Sequence, residues 1–117
     1  MEQVIYASAA RTATPTAVEV NTRRFRSLVL VLDATAITST PSITVAINRK
    51  DNASGKYVNI LTSAAIATVS TNTIRVGLGL PATANVSANE PLPNVVQIVV
   101  THGNANSITY TLSAHLT

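Results

Sequence analysis

From Phe25 to Thr117, apolar residues alternate with hydroxyl-bearing and small ones in seven or eight short runs, and that alternation dictates β-structure. Ile43, Val45 and Ile47 recur at period two, as do Ile74, Val76, Leu78 and Leu80, then Val96, Ile98 and Val100, then Ile108, Tyr110, Leu112 and Ala114. Successive side chains of an extended strand point to opposite faces, so each run describes a strand with one buried face. No stretch carries a helical apolar period with caps, and only Ala64 to Val69 would suit a helical turn. A chain of 117 residues is one domain, able to bury roughly two-thirds of its unfolded surface. Seven to nine strands at this spacing are too many for one open sheet. The expected fold is therefore all-β, a two-layer antiparallel β-sandwich with Greek-key-like connections.

Residues 1–16 read differently, as an extended N-terminal arm preceding a sandwich domain at 17–117. This segment is rich in Ala, Thr and Ser, and its apolar patch is confined to Val4, Ile5 and Tyr6. The other reading is an ordinary first strand of the sandwich with a loose end, and the two are compatible. Leu28, Leu30 and Leu32 face one way while Val29 and Val31 face the other. A strand apolar on both faces is central and covered twice, the second time by a partner subunit or by this chain's own arm. Lys50 to Lys56 is a turn joining Ser42–Arg49 to Tyr57–Leu61 as a hairpin. Ala64–Val69 and Thr73–Leu80 suggest a second pair, and Leu80 to Pro93 is a long connection of the kind that crosses between sheets. If Ile108 opposes Val100, Tyr110 meets Ile98 and Leu112 meets Val96, which predicts a terminal hairpin closed by Gly103-Asn104-Ala105.

Composition argues for a structural part. Ser and Thr total 27, whereas charged residues total 13, so hydroxyls must coat the outward faces. With a mean hydropathy of +0.30, such a surface favours burial against other subunits, and a two-fold homodimer is favoured over a trimer. The net charge of +3 is mild, and only four aromatics are present. A nucleic-acid binder would combine a basic stripe with aromatic platforms, so no direct nucleic-acid contact is expected. There is no cysteine, which rules out disulfides and thiolate metal sites. Glu2 stands where an export signal would carry a cation. The longest apolar run, Leu28 to Leu32, is far short of a membrane span. The chain is expected to be soluble where it is made, with no membrane partner.

Reactive groups are scattered. In the terminal hairpin His102 would lie opposite Asn106 and His115 opposite Pro93, so the two histidines would not share a ligand. No carboxylates pair at strand spacing, which gives neither an acid–base couple nor an oxygen cage. Ser54-Gly55-Lys56 lacks the earlier glycine of a phosphate loop and has Tyr57 where Ser or Thr must hold magnesium. The Asn-X-Ser patterns at Asn52 and Asn85 are chance matches in a Ser-rich chain. Arg23, Arg24 and Arg26 form the one charge cluster; read as a strand, Arg24 and Arg26 share a face as a docking patch for an acidic partner, and Arg23 takes the other face with Phe25. No enzyme activity, cofactor or metal is expected.

The segments Ser42-Ile-Thr-Val-Ala-Ile-Asn-Arg-Lys-Asp, Ser54-Gly-Lys-Tyr-Val and Gly79-Leu-Pro-Ala-Thr-Ala-Asn, with Leu92-Pro through Thr101-His and Ser107-Ile-Thr-Tyr-Thr, resemble a family of small virion structural proteins of tailed bacteriophages. The resemblance lies in the order of strands and turns from about Thr35 onward. It implies a β-sandwich subunit made in the bacterial cytoplasm and placed on the capsid exterior. Proteins of this kind include decoration or cement proteins, which bind the major capsid protein and stabilise the shell against packaged DNA. On that view Val4, Ile5, Tyr6 and Arg11 of the arm reach onto the capsid, with Arg24 and Arg26 assisting. A tail or neck component is the alternative, and a host- or carbohydrate-binding module a weaker third.

Overall fold

The computed structural model describes residues 1–117 and contains nine strands and no helix. They are β1 (Glu2–Arg11), β2 (Val18–Asn21), β3 (Ser27–Ile37), β4 (Ile43–Lys50), β5 (Tyr57–Thr62), β6 (Ser70–Gly77), β7 (Ser87–Ala88), β8 (Val95–His102) and β9 (Ile108–Leu116). Two sheets, in the orders β1-β9-β3-β6-β7 and β2-β8-β4-β5, pack face to face as a β-sandwich. All pairings are antiparallel except the two-residue contact of β6 with β7. The inward residues of the alternating runs form one core, in which Leu28, Leu30, Ile47, Ile98, Tyr110 and Leu112 are fully buried.

The expected hairpin between β4 and β5 is present, with a bulge between Ile47 and Asn48. Gly55 takes φ +73° in its turn, a value that suits a residue without Cβ. The expected terminal hairpin is not. β8 pairs with β2 and β4, and β9 pairs with β1 and β3 in the other sheet, so Tyr110 does not lie beside Ile98. Both arrangements bury the even-numbered residues, and alternation does not distinguish between them. The connection from β8 to β9 is an arch, held against the similar arch from β3 to β4. Gly103 N–H donates to the Ser42 carbonyl at 2.8 Å and Thr38 N–H to the Ser107 carbonyl at 2.9 Å. The Asn104 and Asn106 amides both donate to the Thr40 carbonyl.

Three further expectations are corrected. Ala64–Val69 makes no strand; only Ile66 bridges Ile43, and β6 instead begins at Ser70 and pairs with β3. Leu78 is not inward with Ile74 and Val76, because the strand ends at Gly77 and a turn follows in which Gly79 has φ +86°. The N-terminal segment is the ordinary first strand, not a free arm: β1 extends the larger sheet alongside β9. It therefore leaves the second face of β3 uncovered, and Val29 and Val31 remain half-exposed there. The long connection after β6 does cross between sheets, touching β6 through β7 on the way.

Candidate functional site

Two regions bring the sequence's candidate residues together. The first is the edge closed by β1. Register shifts flank Tyr6, one between Val4 and Tyr6 and one between Tyr6 and Ala9; such bulges turn an edge strand and re-aim its side chains. The Arg11 guanidinium lies 4.6 Å from the Tyr110 ring centre and 5.3 Å from that of Tyr6. It donates to the carbonyls of Ala7 (2.7 Å), Tyr110 (3.0 Å) and Ala9 (3.2 Å). The Tyr6 hydroxyl donates to the Thr16 carbonyl at 2.5 Å, and His102 N–H donates to Thr14 Oγ1 at 2.9 Å. The cation between two aromatic faces, with its forks on main-chain carbonyls, clamps β1 to β9 within the larger sheet, and Thr14 ties the segment after β1 to β8 of the other. Tyr6 and Arg11 are thus engaged within the chain, and Ile5 packs against the core. Val4, 61% exposed, is the one member of that patch turned to solvent.

Burial pushes the Tyr110 hydroxyl up to about 12, partly offset by the Arg11 charge, so it keeps its proton at any ordinary pH. It lies 3.0 Å from His102 Nε2. Burial first and the Arg11 charge second push the His102 pKa down. The imidazole is therefore neutral at pH 7 and shares a hydrogen bond with the Tyr110 hydroxyl. His115 is far from this group in register, on the outer face of the larger sheet beside Ser113 (3.3 Å). The separation expected of the two histidines holds, though through the arch and not through a hairpin.

The second region is the turn between β2 and β3, where Arg23, Arg24 and Arg26 lie. These residues are not in a strand, so the expected division of the cluster between two faces does not apply. Arg23 N–H donates to Asn21 Oδ1 (3.1 Å) and Phe25 N–H to the Thr22 carbonyl (3.0 Å), an Asx turn running into a β-turn. Buried Thr22 anchors it, donating through Oγ1 to the Pro93 carbonyl and through N–H to that of Asn94. Arg23, Arg24 and Arg26 are all exposed, and none has an anionic partner in the chain. Beside them runs an open groove lined by Phe25, Arg26, Leu78, Pro91 and Leu92. Leu78, 71% exposed, is the apolar residue the sequence reading placed inside; Gly79 was the available sign that the strand stopped before it. With Arg26 on the wall of the groove and Arg23 and Arg24 on the same turn, guanidinium forks can grip carboxylates while the groove takes an apolar side chain.

Elsewhere the chemistry is structural. Ser54 Oγ donates to Asp51 Oδ2 at 2.7 Å, and this bond with the Ala53 N–H holds the Asp51 pKa low; the Ser54-Gly55-Lys56 segment is a tight turn. On the outer face of the smaller sheet, Glu19 takes hydrogen bonds from Tyr57 and from Lys50 (3.2 Å), which lower its pKa in that order. No group of three His, Asp or Glu side chains is placed to hold a metal ion. The void inside the core measures about 10 Å³, too small for any ligand. Comparison with known protein families, with curated proteins and with solved structures yields no match.

Proposed function

We propose that this chain is a non-catalytic structural subunit of a tailed-bacteriophage particle, and specifically a cement protein bound to the outer surface of the major capsid protein shell. The observation that carries the reading is the basic turn: three exposed, unpaired arginines beside an open apolar groove, on a turn anchored by a buried threonine. Such a patch suits an acidic, partly apolar protein surface. The resemblance of the strand and turn segments to virion proteins supplies the identity of that surface. Attachment through the turn replaces attachment through Tyr6 and Arg11, whose side chains are engaged at home.

The test is binding of the purified chain to expanded heads that lack it, with copies per head counted by imaging. Ordered occupancy at lattice positions is expected. Reversing Arg23, Arg24 and Arg26 to Glu should weaken it by at least about tenfold, because like charges then face the partner, while the melting temperature stays near wild type. Absence from heads, with the protein located instead at the neck or tail of whole particles, would replace this reading with the neck or tail component. Full occupancy by the reversed variant would remove the basic turn from the interface.

A further inference from the structure

We propose that the outer face of the five-stranded sheet is a homodimer interface, its two copies related by a two-fold axis running parallel to the strands between β9 and β3. Such a dimer is independent of what the assembled protein binds.

The sandwich has two outer faces of opposite character. That of the smaller sheet is tied laterally by its own side chains: Asn48 Nδ2 donates to Gln97 Oε1 (3.1 Å), Asn59 to Asn48 (3.0 Å), and Lys50 and Tyr57 to Glu19. On that of the larger sheet the side-chain bonds between β3 and the β9 segment lie at the strand ends, Thr35 to the Thr109 carbonyl (3.5 Å) and Ser27 with Thr117 (2.5 Å), and none crosses its centre at Val29 and Val31. Thr71 and Asp33 bond at one corner (2.9 Å). Alternate apolar and hydroxyl side chains this short let a second sheet approach to about 10 Å, the spacing of sandwich sheets.

Register makes the face self-complementary. One row across β1, β9, β3 and β6 reads Glu2, His115, Val29, Arg75; the next reads Val4, Ser113, Val31, Thr73. Glu2 and Arg75 are both exposed, and neither is paired within the chain. A two-fold axis along the strands preserves each row and reverses its order. It sets Glu2 against Arg75 of the second copy and Arg75 against that copy's Glu2, while Val4 meets Thr73 and Val31 meets Ser113. Twisted sheets packed in this way diverge at their margins, where the long Glu and Arg side chains stand. Four strands about 4.8 Å apart and about seven residues long give a footprint on the order of 400 Å² per copy, about 800 Å² in total, which is below the range of stable dimers and in that of weak, reversible ones. The occupant is a second copy of this chain, because the charges at the two ends of one row match each other.

The test is charge exchange, read by sedimentation equilibrium of the full chain over about a hundredfold range of concentration. Wild type should form a reversible dimer. Glu2→Arg and Arg75→Glu each create two like-charge contacts by symmetry, and each should weaken dimerisation by at least about tenfold. The double variant should return to within about threefold of wild type, an order-of-magnitude margin for coupled charges. Both positions are exposed, and unchanged circular dichroism and melting would show that the fold is kept. A wild-type chain that stays monomeric, single reversals without effect, or a double variant no better than the singles would each overturn the proposal.

Discussion

Arg11 shows how one side chain can be read two ways. In the sequence it is a lone cation in a polar segment, which suggests a hand extended to a partner; in the fold it lies between Tyr6 and Tyr110 and bonds three carbonyls. What decides is the pair of register shifts in β1, which no local pattern announces. The same cluster has a pH signature. His102 has a folded pKa below its unfolded value near 6.5, so between those two values the unfolded chain binds more protons than the folded one. Stability is full above about pH 6.5 and falls as pH drops through the lowered folded pKa. Protonation also places a hydrogen on both ring nitrogens, so that Nε2 faces the Tyr110 hydroxyl only as a donor. Denaturant midpoints between pH 7.5 and 4.5, values chosen to bracket about 6.5, should show a decline that is smaller in His102→Gln.

Among the elements, β1 and the final pair of strands carry the lesson. β1 supplies the hydrogen bonds for one edge of β9 and brings the Arg11 clamp with it. Deleting residues 1–11 would leave β9 as a bare edge and uncover Tyr110, so the truncated chain should lose more than about 3 kcal/mol of stability and aggregate. Chemical denaturation with light scattering checks this; a truncated chain as stable and soluble as the whole would show that β1 is dispensable. The truncation is accordingly a poor probe of attachment, which surface reversals at Arg23, Arg24 and Arg26 examine without touching the fold. β8 and β9 were legible as strands, with the correct residues inward in each. Their neighbours were not, because an arch and a hairpin present the same residues to the core. The bonds of the β8–β9 loop to Thr38, Thr40 and Ser42 join positions more than sixty residues apart.

At the scale of the whole molecule, the two proposals meet in geometry. A two-fold axis parallel to the strands keeps the same end of each sandwich pointing the same way. Both basic turns, which immediately precede β3, then lie at one end of the dimer, and both β8–β9 arches at the other. A dimer built so can engage two neighbouring capsid sites at once, and linked binding events commonly raise apparent affinity by about 10²–10⁴. Arg75→Glu, remote in sequence from the basic turn, should therefore lower occupancy of heads through loss of the dimer, and adding Glu2→Arg should restore it. Loss of occupancy that the second change does not rescue would mean that Arg75 touches the capsid directly.

Strand character, the buried face of most strands and the β4–β5 turn were determined by the sequence alone, because they depend on neighbouring residues: a period of two, and glycine or asparagine where the backbone must turn. Which strands pair, where Leu78 leaves the core, how Arg23, Arg24 and Arg26 come to share one turn, and that Glu2 and Arg75 end the same row were decided only by the tertiary structure. Those relations join segments far apart in the chain. Their energies come from a shared core and from hydrogen bonds between distant loops, and many pairings satisfy the same alternation.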